Sequence, residues 1–308
     1  MKEVYNLSDL RGWAKTAGES TSPIRLGVVG DPVAHSLSPL MQNAALEQSG
    51  LDLRYGRFQI APTELAEALE LFRQLDFVGV NLTVPHKIAA LGLVDEVEER
   101  AQKIGAINTV VFRDGKSFGH NTDGPGFTRA IREVFSVDLR DLRVLLLGAG
   151  GGAGRALAWQ CAQENCERLV LVNRDFEKAQ ALAGELTSYF TGPRVLGPEA
   201  RLEAVRWENS ALRTQLARTD LVVNATPLGL RQFDPSPLPH ALLEPHLMIY
   251  DLTYKRTPTP LLIAAAEAGA RGENGLTMLL HQGALAFELW FDRPAPLAMM
   301  RAALAGSD

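Results

Sequence analysis

Cysteine is scarce in this sequence. Cys161 and Cys166 are the only two, without C-x-x-C spacing and without the company of other metal ligands. Free thiols on or beside a helix are therefore expected, and no metal centre. Long hydrophobic runs are missing as well: no stretch approaches the roughly 18 apolar residues of a membrane span. The opening MKEVYNLSDLRGWAKTAGESTSP has no apolar core of a secretory signal, so the cytoplasm is the expected location. Positive charge is not in excess either. Lys and Arg total 31 against 36 Asp and Glu, a net charge of -5 with no basic stripe, which argues against a nucleic-acid surface.

What is present is an ordinary globular composition, 46% apolar and 22% charged over 308 residues, a length suited to about two domains. No internal repeat stands out. YNLSDLRGWA suits a short helix capped by Ser8. The first half then alternates strand-like and helix-like pieces: IRLGVVG, PLMQNAALEQSG, RYGRFQIA, TELAEALELFRQL and FVGVNLTV. Leu65, Ala68, Leu69 and Phe72 recur at helical spacing, with Thr63 placed to cap them. Such alternation implies parallel strands joined by crossover helices. AINTVVF and KSFGHN flank Asp114-Gly115, a hairpin signal.

A second series begins at Asp141, with LRVLLLGAGGGAG, a helix from about Arg155, RLVLVNR, DLVVNATPLG and LMIYDLTY. It reads as a doubly wound sheet of its own. Gly148, Gly150 and Ala153 fit G-x-G-x-x-A between a strand and a helix, with Gly151 and Gly152 inside the same turn. The first glycine permits the turn, the second lets a pyrophosphate approach, and the small third residue lets helix and strand pack. The helix N-terminus then offers N–H groups to phosphate.

The tip of the next strand pulls two ways. Asn173 and Arg174, with Lys178 adding charge, favour the 2′-phosphate of NADP, whereas Asp175 repels it and leaves NAD open.

Three polar segments of the first half do not suit a core. GVNLTVPHK carries Asn81, Thr83, Pro85, His86 and Lys87; GAINTV carries Asn108 and Thr109; GHNTDGPG carries Asn121, Thr122 and Asp123. Singly, a lysine after a strand is commonly a solvated charge, and buried Asn or Asp commonly holds a turn. Together they offer a cation, a carboxylate, amides and hydroxyls at strand ends, where αβ proteins bind ligands.

With GDPVAHSLSPLMQN, GVNLTVPHK, GAINTV, GHNTDGPG, GAGGGAG, NATPLG, YDLTY and GLTMLLHQGALAFELW in that order, the chain resembles the shikimate dehydrogenase family over nearly all its length after the first two dozen residues. The resemblance implies an α/β fold of two domains with a cleft. Residues 1–124 would form an αβ substrate-binding and catalytic domain, with 1–23 an extension of unread role. Residues 125–275 would form a Rossmann-like doubly wound dinucleotide-binding domain, and 276–308 a helical segment returning to the first. The implied reaction is the NADPH-dependent reduction of 3-dehydroshikimate to shikimate, an aromatic amino acid pathway step, by a monomer or homodimer.

By matching positions, Ser36 and Ser38 bind the substrate carboxylate, Thr83, Asn108 and Asp123 its ring hydroxyls, and Tyr254 and Gln282 close the site. Lys87 and Asp123 are the catalytic pair, and Thr226 and Met278 join the glycine turn, Asn173, Arg174, Asp175 and Lys178 at the cofactor. Proton donation by an ammonium in a partly dry cleft suits ketone reduction. A strand-like path through Lys87 would turn His86 elsewhere, so His86, like His35 and His281, is expected to be structural.

Ser38 is placed to cap a helix whose first residue is Pro39, while Ser36 gains nothing from capping. Both hydroxyls at a helix start would make a neutral carboxylate receptor.

Departures from the family pattern are Asp175, Pro227, Thr277 and Arg256. An NAD-dependent quinate/shikimate dehydrogenase is the rival reading, supported by Asp175 and opposed by the retained serine pair. A non-catalytic sensor of a shikimate-like acid is a remoter one, for which no DNA-binding helix pair is visible.

Overall fold

The computed structural model describes residues 2–13, 22–192, 200–231, 233–255 and 257–306. The chain divides into two compact units, one formed by Met1–Gly126 with Leu279–Asp308, the other by Phe127–Met278. Each is an α/β layer structure around a six-stranded sheet. Among the described residues no helix is long and apolar enough to cross a membrane.

The first unit opens with α1 (Leu7–Arg11), capped by Asn6 rather than Ser8: Asn6 accepts from the Asp9 N–H while the Asp9 side chain accepts from the Asn6 N–H. Tyr5 pairs with the outer edge of the sheet through Tyr5 N to Arg57 O and Gln59 N to Tyr5 O. Leu7, Leu10 and Trp13 are buried against Phe58, Phe72 and Phe77. These residues therefore cover a strand edge that would otherwise present open hydrogen-bonding groups.

The sheet follows with β1 (Ile24–Gly30), α2 (Ser38–Gln48), β2 (Arg54–Gln59), α3 (Leu65–Gln74), β3 (Gly79–Leu82), α4 (His86–Ala89), β4 (Glu96–Val97), α5 (Glu99–Ile104), β5 (Thr109–Arg113) and β6 (Lys116–His120). Its order is β2-β1-β3-β5-β6-β4. The apolar run of β1 makes it a central strand, parallel to β2 and β3. Beyond β3 the sheet turns antiparallel, and β5 and β6 form the hairpin that Asp114-Gly115 signals. Strand β5 runs antiparallel to β3 and to β6, and Asp114 and Gly115, both with positive φ, turn the chain straight back from β5 into β6.

Helix α3 is not capped by Thr63. A 3₁₀ turn at Pro62–Glu64 leads into it, and Glu64 accepts from the Ala61 N–H instead.

The second unit contains β7 (Arg143–Leu147), β8 (Arg168–Val172), β9 (Leu202–Val205), β10 (Leu221–Asn224), β11 (Met248–Asp251) and β12 (Arg271–Asn274), all parallel in the order β12-β11-β10-β7-β8-β9. After α6 (Asp123–Phe135), its helices are α7 (Gly152–Gln163), α8 (Phe176–Leu186), α9 (Asn209–Leu216) and α10 (Pro260–Glu267). The chain moves outward from β7 through β9 and then returns to β10 on the other side of β7. That reversal leaves a crevice at the C-terminal ends of β7 and β10, the place where doubly wound sheets take ligands. Cys161 and Cys166 are free and buried.

Helices α11 (Leu276–Phe291) and α12 (Leu297–Ala305) end the chain. Leu280, Ala284, Phe287 and Trp290 of α11 pack with Leu26, Val28, Met41 and Tyr55 of the first unit. The Trp290 indole donates to Val110 O at 3.1 Å across Gly79. A Cβ at Gly79 would sit 2.1 Å from that indole nitrogen, so only glycine fits there.

Candidate active site

Ser36 and Ser38 are both buried, but neither caps the helix. Helix α2 starts at Ser38 with Leu37 as its N-cap, and Ser38 caps nothing. Ser36 Oγ accepts from the Ser38 N–H at 3.3 Å, a short ST-turn that curls the loop. The helix starts at Ser38 and not at Pro39, which puts Ser38 inside the first turn instead of at the cap. Ser38 Oγ makes no hydrogen bond among the described residues and stays available to a ligand. The loop is held from beneath by Arg57, whose Nε and Nη2 donate to Ser36 O at 3.1 and 2.9 Å. Thr83 is half-buried, and its methyl group occupies the space a Cβ at Gly30 would need.

Lys87 does not follow a strand. It lies on the single-turn helix α4, and its carbonyl accepts from the Ile107 N–H at 2.8 Å, which ties the turn to the start of β5. Lys87 Nζ donates to Asp123 Oδ2 at 2.6 Å, with side chains only 14% and 5% exposed. Asn108 Nδ2 donates to the other oxygen, Oδ1, at 2.8 Å, and lies 3.4 Å from Gln282 Oε1. Asn121 Oδ1 accepts from the Asp123 N–H at the head of α6. Lys87, Asn108, Asp123 and Gln282 thus meet in one cluster, an ammonium beside a carboxylate with two amides at hand.

His86 turns inward instead. Its Nε2 is 2.8 Å from Ile60 O, and burial pushes its pKa below the usual histidine value. A neutral ring already bonded to the main chain is a poor proton donor. The helix, not a strand-like alternation, is what separates it from Lys87.

In the second unit, Gly148 has φ of +85°, and a Cβ there would lie 2.8 Å from Thr226 Cγ2 and 3.0 Å from Ala225 O. Gly154 follows directly after Ala153, the third position of the fingerprint. A Cβ at Gly154 would come 2.1 Å from Gly148 O, so Gly154 is where helix and turn touch. Helix α7 starts at Gly152, three residues before Arg155, with Gly151 as an N-cap that offers no side-chain acceptor. The first N–H groups of α7 therefore receive no capping side chain, a fit for a pyrophosphate.

Asn173 Oδ1 accepts from the Gly150 N–H at 3.3 Å and its Nδ2 donates to Asp175 O at 2.9 Å. Arg174 is exposed. Asp175 is the N-cap of α8 and lies 3.6 Å from Lys178 Nζ. Its charge is thus shared with a cation one turn away, which softens the repulsion expected of it. Thr226 Oγ1 donates to Asn224 Oδ1 at 2.7 Å, fixing the turn after β10.

The Met278 N–H donates to the Tyr250 phenol, whose pKa burial pushes up. Tyr254 is half-buried, three residues beyond β11. Arg256 lies outside the described residues.

Sequence reasoning passed over Arg57 and Asp251. Asp251 is fully buried at the end of β11, accepts from Asn224, Thr253 and Thr259, and has its pKa raised by burial. Its only advance signal was a carboxylate ending an apolar strand.

Family models agree with this layout. The shikimate dehydrogenase substrate binding domain matches residues 28–110, shikimate / quinate 5-dehydrogenase matches 129–196, and the shikimate 5'-dehydrogenase C-terminal domain matches 275–305. A shikimate dehydrogenase (NADP+) of Methanopyrus kandleri is 41% identical over 281 residues, covering 91% of this chain and 94% of the relative. The chain belongs to the shikimate dehydrogenase family.

Two solved shikimate dehydrogenases share the fold. One, in complex with NADP+, is 33% identical with a TM-score of 0.82, covering 94% of this chain and 99% of that one. The other, from Thermus thermophilus in complex with NADP(H) and shikimate, is 38% identical with a TM-score of 0.77, covering 92% and 99%.

Proposed function

We propose that this chain is an NADP-dependent shikimate dehydrogenase, reversibly reducing 3-dehydroshikimate to shikimate on the route to aromatic amino acids. The observation that carries the reading is the Lys87–Asp123 pair, withdrawn from solvent beside Asn108 and Gln282.

Bound NADPH supplies the hydride. Charge then grows on the former ketone oxygen, and Lys87 donates a proton from Nζ to that oxygen, leaving a neutral amine that takes a proton back from solvent. Such proton transfer contributes about 10²–10⁴-fold in rate. Asp123 holds Lys87 in place through Oδ2 and takes a ring hydroxyl of the substrate with Asn108 and Thr83. Ser36 and Ser38 receive the carboxylate, with Gln282 beside Asn108 at the same site. The turn Gly148–Ala153 would hold the pyrophosphate, Asn173, Arg174 and Lys178 would meet a 2′-phosphate, and Thr226 and Met278 would add further cofactor contacts.

The rival is an NAD-dependent enzyme acting on quinate, for which Asp175 speaks. Initial rates with shikimate and quinate, each with NAD and NADP, decide between them. The combination of shikimate with NADP is expected to give the highest kcat/KM. A preference for quinate with NAD overturns the reading.

A further inference from the structure

A buried chain of hydrogen bonds runs from Asp123 to the interior of the first sheet. Tyr55 on β2, Asn81 on β3 and Thr109 at the start of β5 are all buried, as are Asn108 and Asp123. Tyr55 Oη lies 2.8 Å from Asn81 Oδ1, and Asn81 Nδ2 lies 3.0 Å from Thr109 Oγ1. Thr109 Oγ1 lies 3.1 Å from Asn108 Oδ1, and Asn108 Nδ2 lies 2.8 Å from Asp123 Oδ1. None of Tyr55, Asn81 or Thr109 is assigned a part in the binding or chemistry described above.

The directions of the amide hydrogen bonds in this chain are fixed by partners that have one role each. The Thr122 N–H can only donate, and it meets Asn108 Oδ1 at 2.8 Å. The Asp123 carboxylate can only accept, and it meets Asn108 Nδ2. The Asn108 amide is therefore pinned in one flip. Asn81 is pinned likewise, since its Nδ2 also reaches the main-chain carbonyl of Asn108 at 3.2 Å.

Given those two flips, the Tyr55 phenol has to donate to Asn81 Oδ1. The Thr109 hydroxyl accepts from Asn81, so its own proton turns to Asn108 Oδ1 or to Thr122 Oγ1. Every donor points toward Asp123, and the series ends on the carboxylate oxygen that does not face Lys87.

We infer that Tyr55, Asn81 and Thr109 are positioning residues for the reaction, a one-way relay that locks Asn108 and clamps Asp123 Oδ1 so that Oδ2 holds the Lys87 ammonium. The inference rests on the catalytic roles proposed above for Lys87 and Asp123. The relay's value is geometric. Asp123 sits at the head of a helix, and a carboxylate held at one oxygen only would be free to rotate about its own bond. Held at both, it keeps Nζ in line with a single point in the site. Successive bonds in a dry interior also polarise one another in the same sense, which strengthens the last donor onto the carboxylate.

The side chain of Thr109 supplies a clean test, because valine keeps its shape without the hydroxyl and serine keeps the hydroxyl without the methyl group. Steady-state rates with shikimate and NADP would be measured for the full-length wild-type chain and for Thr109→Val, Thr109→Ser and Tyr55→Phe, with thermal midpoints alongside. Misplacement of a reacting group by a distant change costs up to about 10²-fold. The Thr109→Val enzyme is expected to lose about tenfold in kcat with little change in KM for NADP, and Tyr55→Phe less. Thr109→Ser is expected to stay within about twofold of wild type.

The same Thr109→Val change placed in an Asp123→Asn background should then cost little more, since the group it positions is already lost. Full activity of Thr109→Val, an equal loss in Thr109→Ser, or a full additional loss on top of Asp123→Asn each overturns the relay. A wild-type chain inactive on shikimate overturns the functional reading itself, a result distinct from any of these.

Discussion

Lys87 Nζ lies 2.6 Å from Asp123 Oδ2 although 36 residues separate them in the chain. The two arrive from different elements, a single-turn helix after β3 and the head of α6, and the main-chain bond from Ile107 N–H to Lys87 O holds the first of these in place. An ammonium partly withdrawn from water and fixed by a carboxylate is suited to give its proton to an oxygen that is gaining charge.

The serine loop separates two effects that a double replacement would merge. Ser36→Ala removes the hydroxyl that accepts from the Ser38 N–H, a bond of about 0.5–1.5 kcal/mol, so its thermal midpoint should fall. Ser38→Ala should leave the midpoint nearly unchanged. Both should raise KM for shikimate at least about tenfold, which is about 1.4 kcal/mol of lost carboxylate binding, with KM for NADP unaffected. Calorimetric melts and steady-state kinetics on the two single variants check this. A KM change confined to the cofactor would rule out the carboxylate receptor.

Cofactor choice rests on the charges around α8. Asp175 and Lys178 are 3.6 Å apart and both are well exposed, so each acts on a neighbouring phosphate through water. At about 4 Å in water one unit charge contributes about 1 kcal/mol per unit charge it meets, near fivefold. Asp175→Thr should therefore raise the NADP/NAD ratio of kcat/KM by about fivefold, and Lys178→Ala should lower it by a similar factor. Both effects should shrink as salt is added. A ratio that stays put in both variants would place the 2′-phosphate elsewhere.

His86 contributes a pH dependence of stability. Burial depresses its pKa in the folded chain, so the unfolded chain binds the proton more readily. Stability is therefore complete above the unfolded value of about 6.5 and declines as pH falls through the folded value. Thermal midpoints of wild type should drop between about pH 6.5 and 5, and part of that slope should disappear in His86→Gln. An unchanged slope in the variant would assign the decline to other groups.

The parts of the molecule that were legible in advance are those whose signal is local. The apolar run of β1, the glycine turn after β7 and the Asp114-Gly115 hairpin each announce themselves within a few residues. Caps were less legible: α2 starts at Ser38 and not at Pro39, so Ser38 caps nothing and Ser36 accepts from its N–H. Gly154 was overshadowed by Ala153 for a similar reason, since which small residue touches Gly148 O depends on where α7 begins.

The site itself was visible only as three polar segments, and their convergence came from family resemblance rather than spacing. Tyr55 gave no signal at all. A tyrosine in an alternating strand reads as core until its phenol is found 2.8 Å from Asn81, 26 residues away.

The proton-donor role of Lys87 is tested most directly by Lys87→Ala, with turnover and shikimate binding measured on the same preparation. Turnover should fall by about 10²–10⁴-fold, the usual worth of positioned acid–base catalysis, while shikimate measured by calorimetry still binds within about tenfold of wild type. Near-wild-type turnover in that variant would contradict the role, and with it the assignment of Asp123 as its partner.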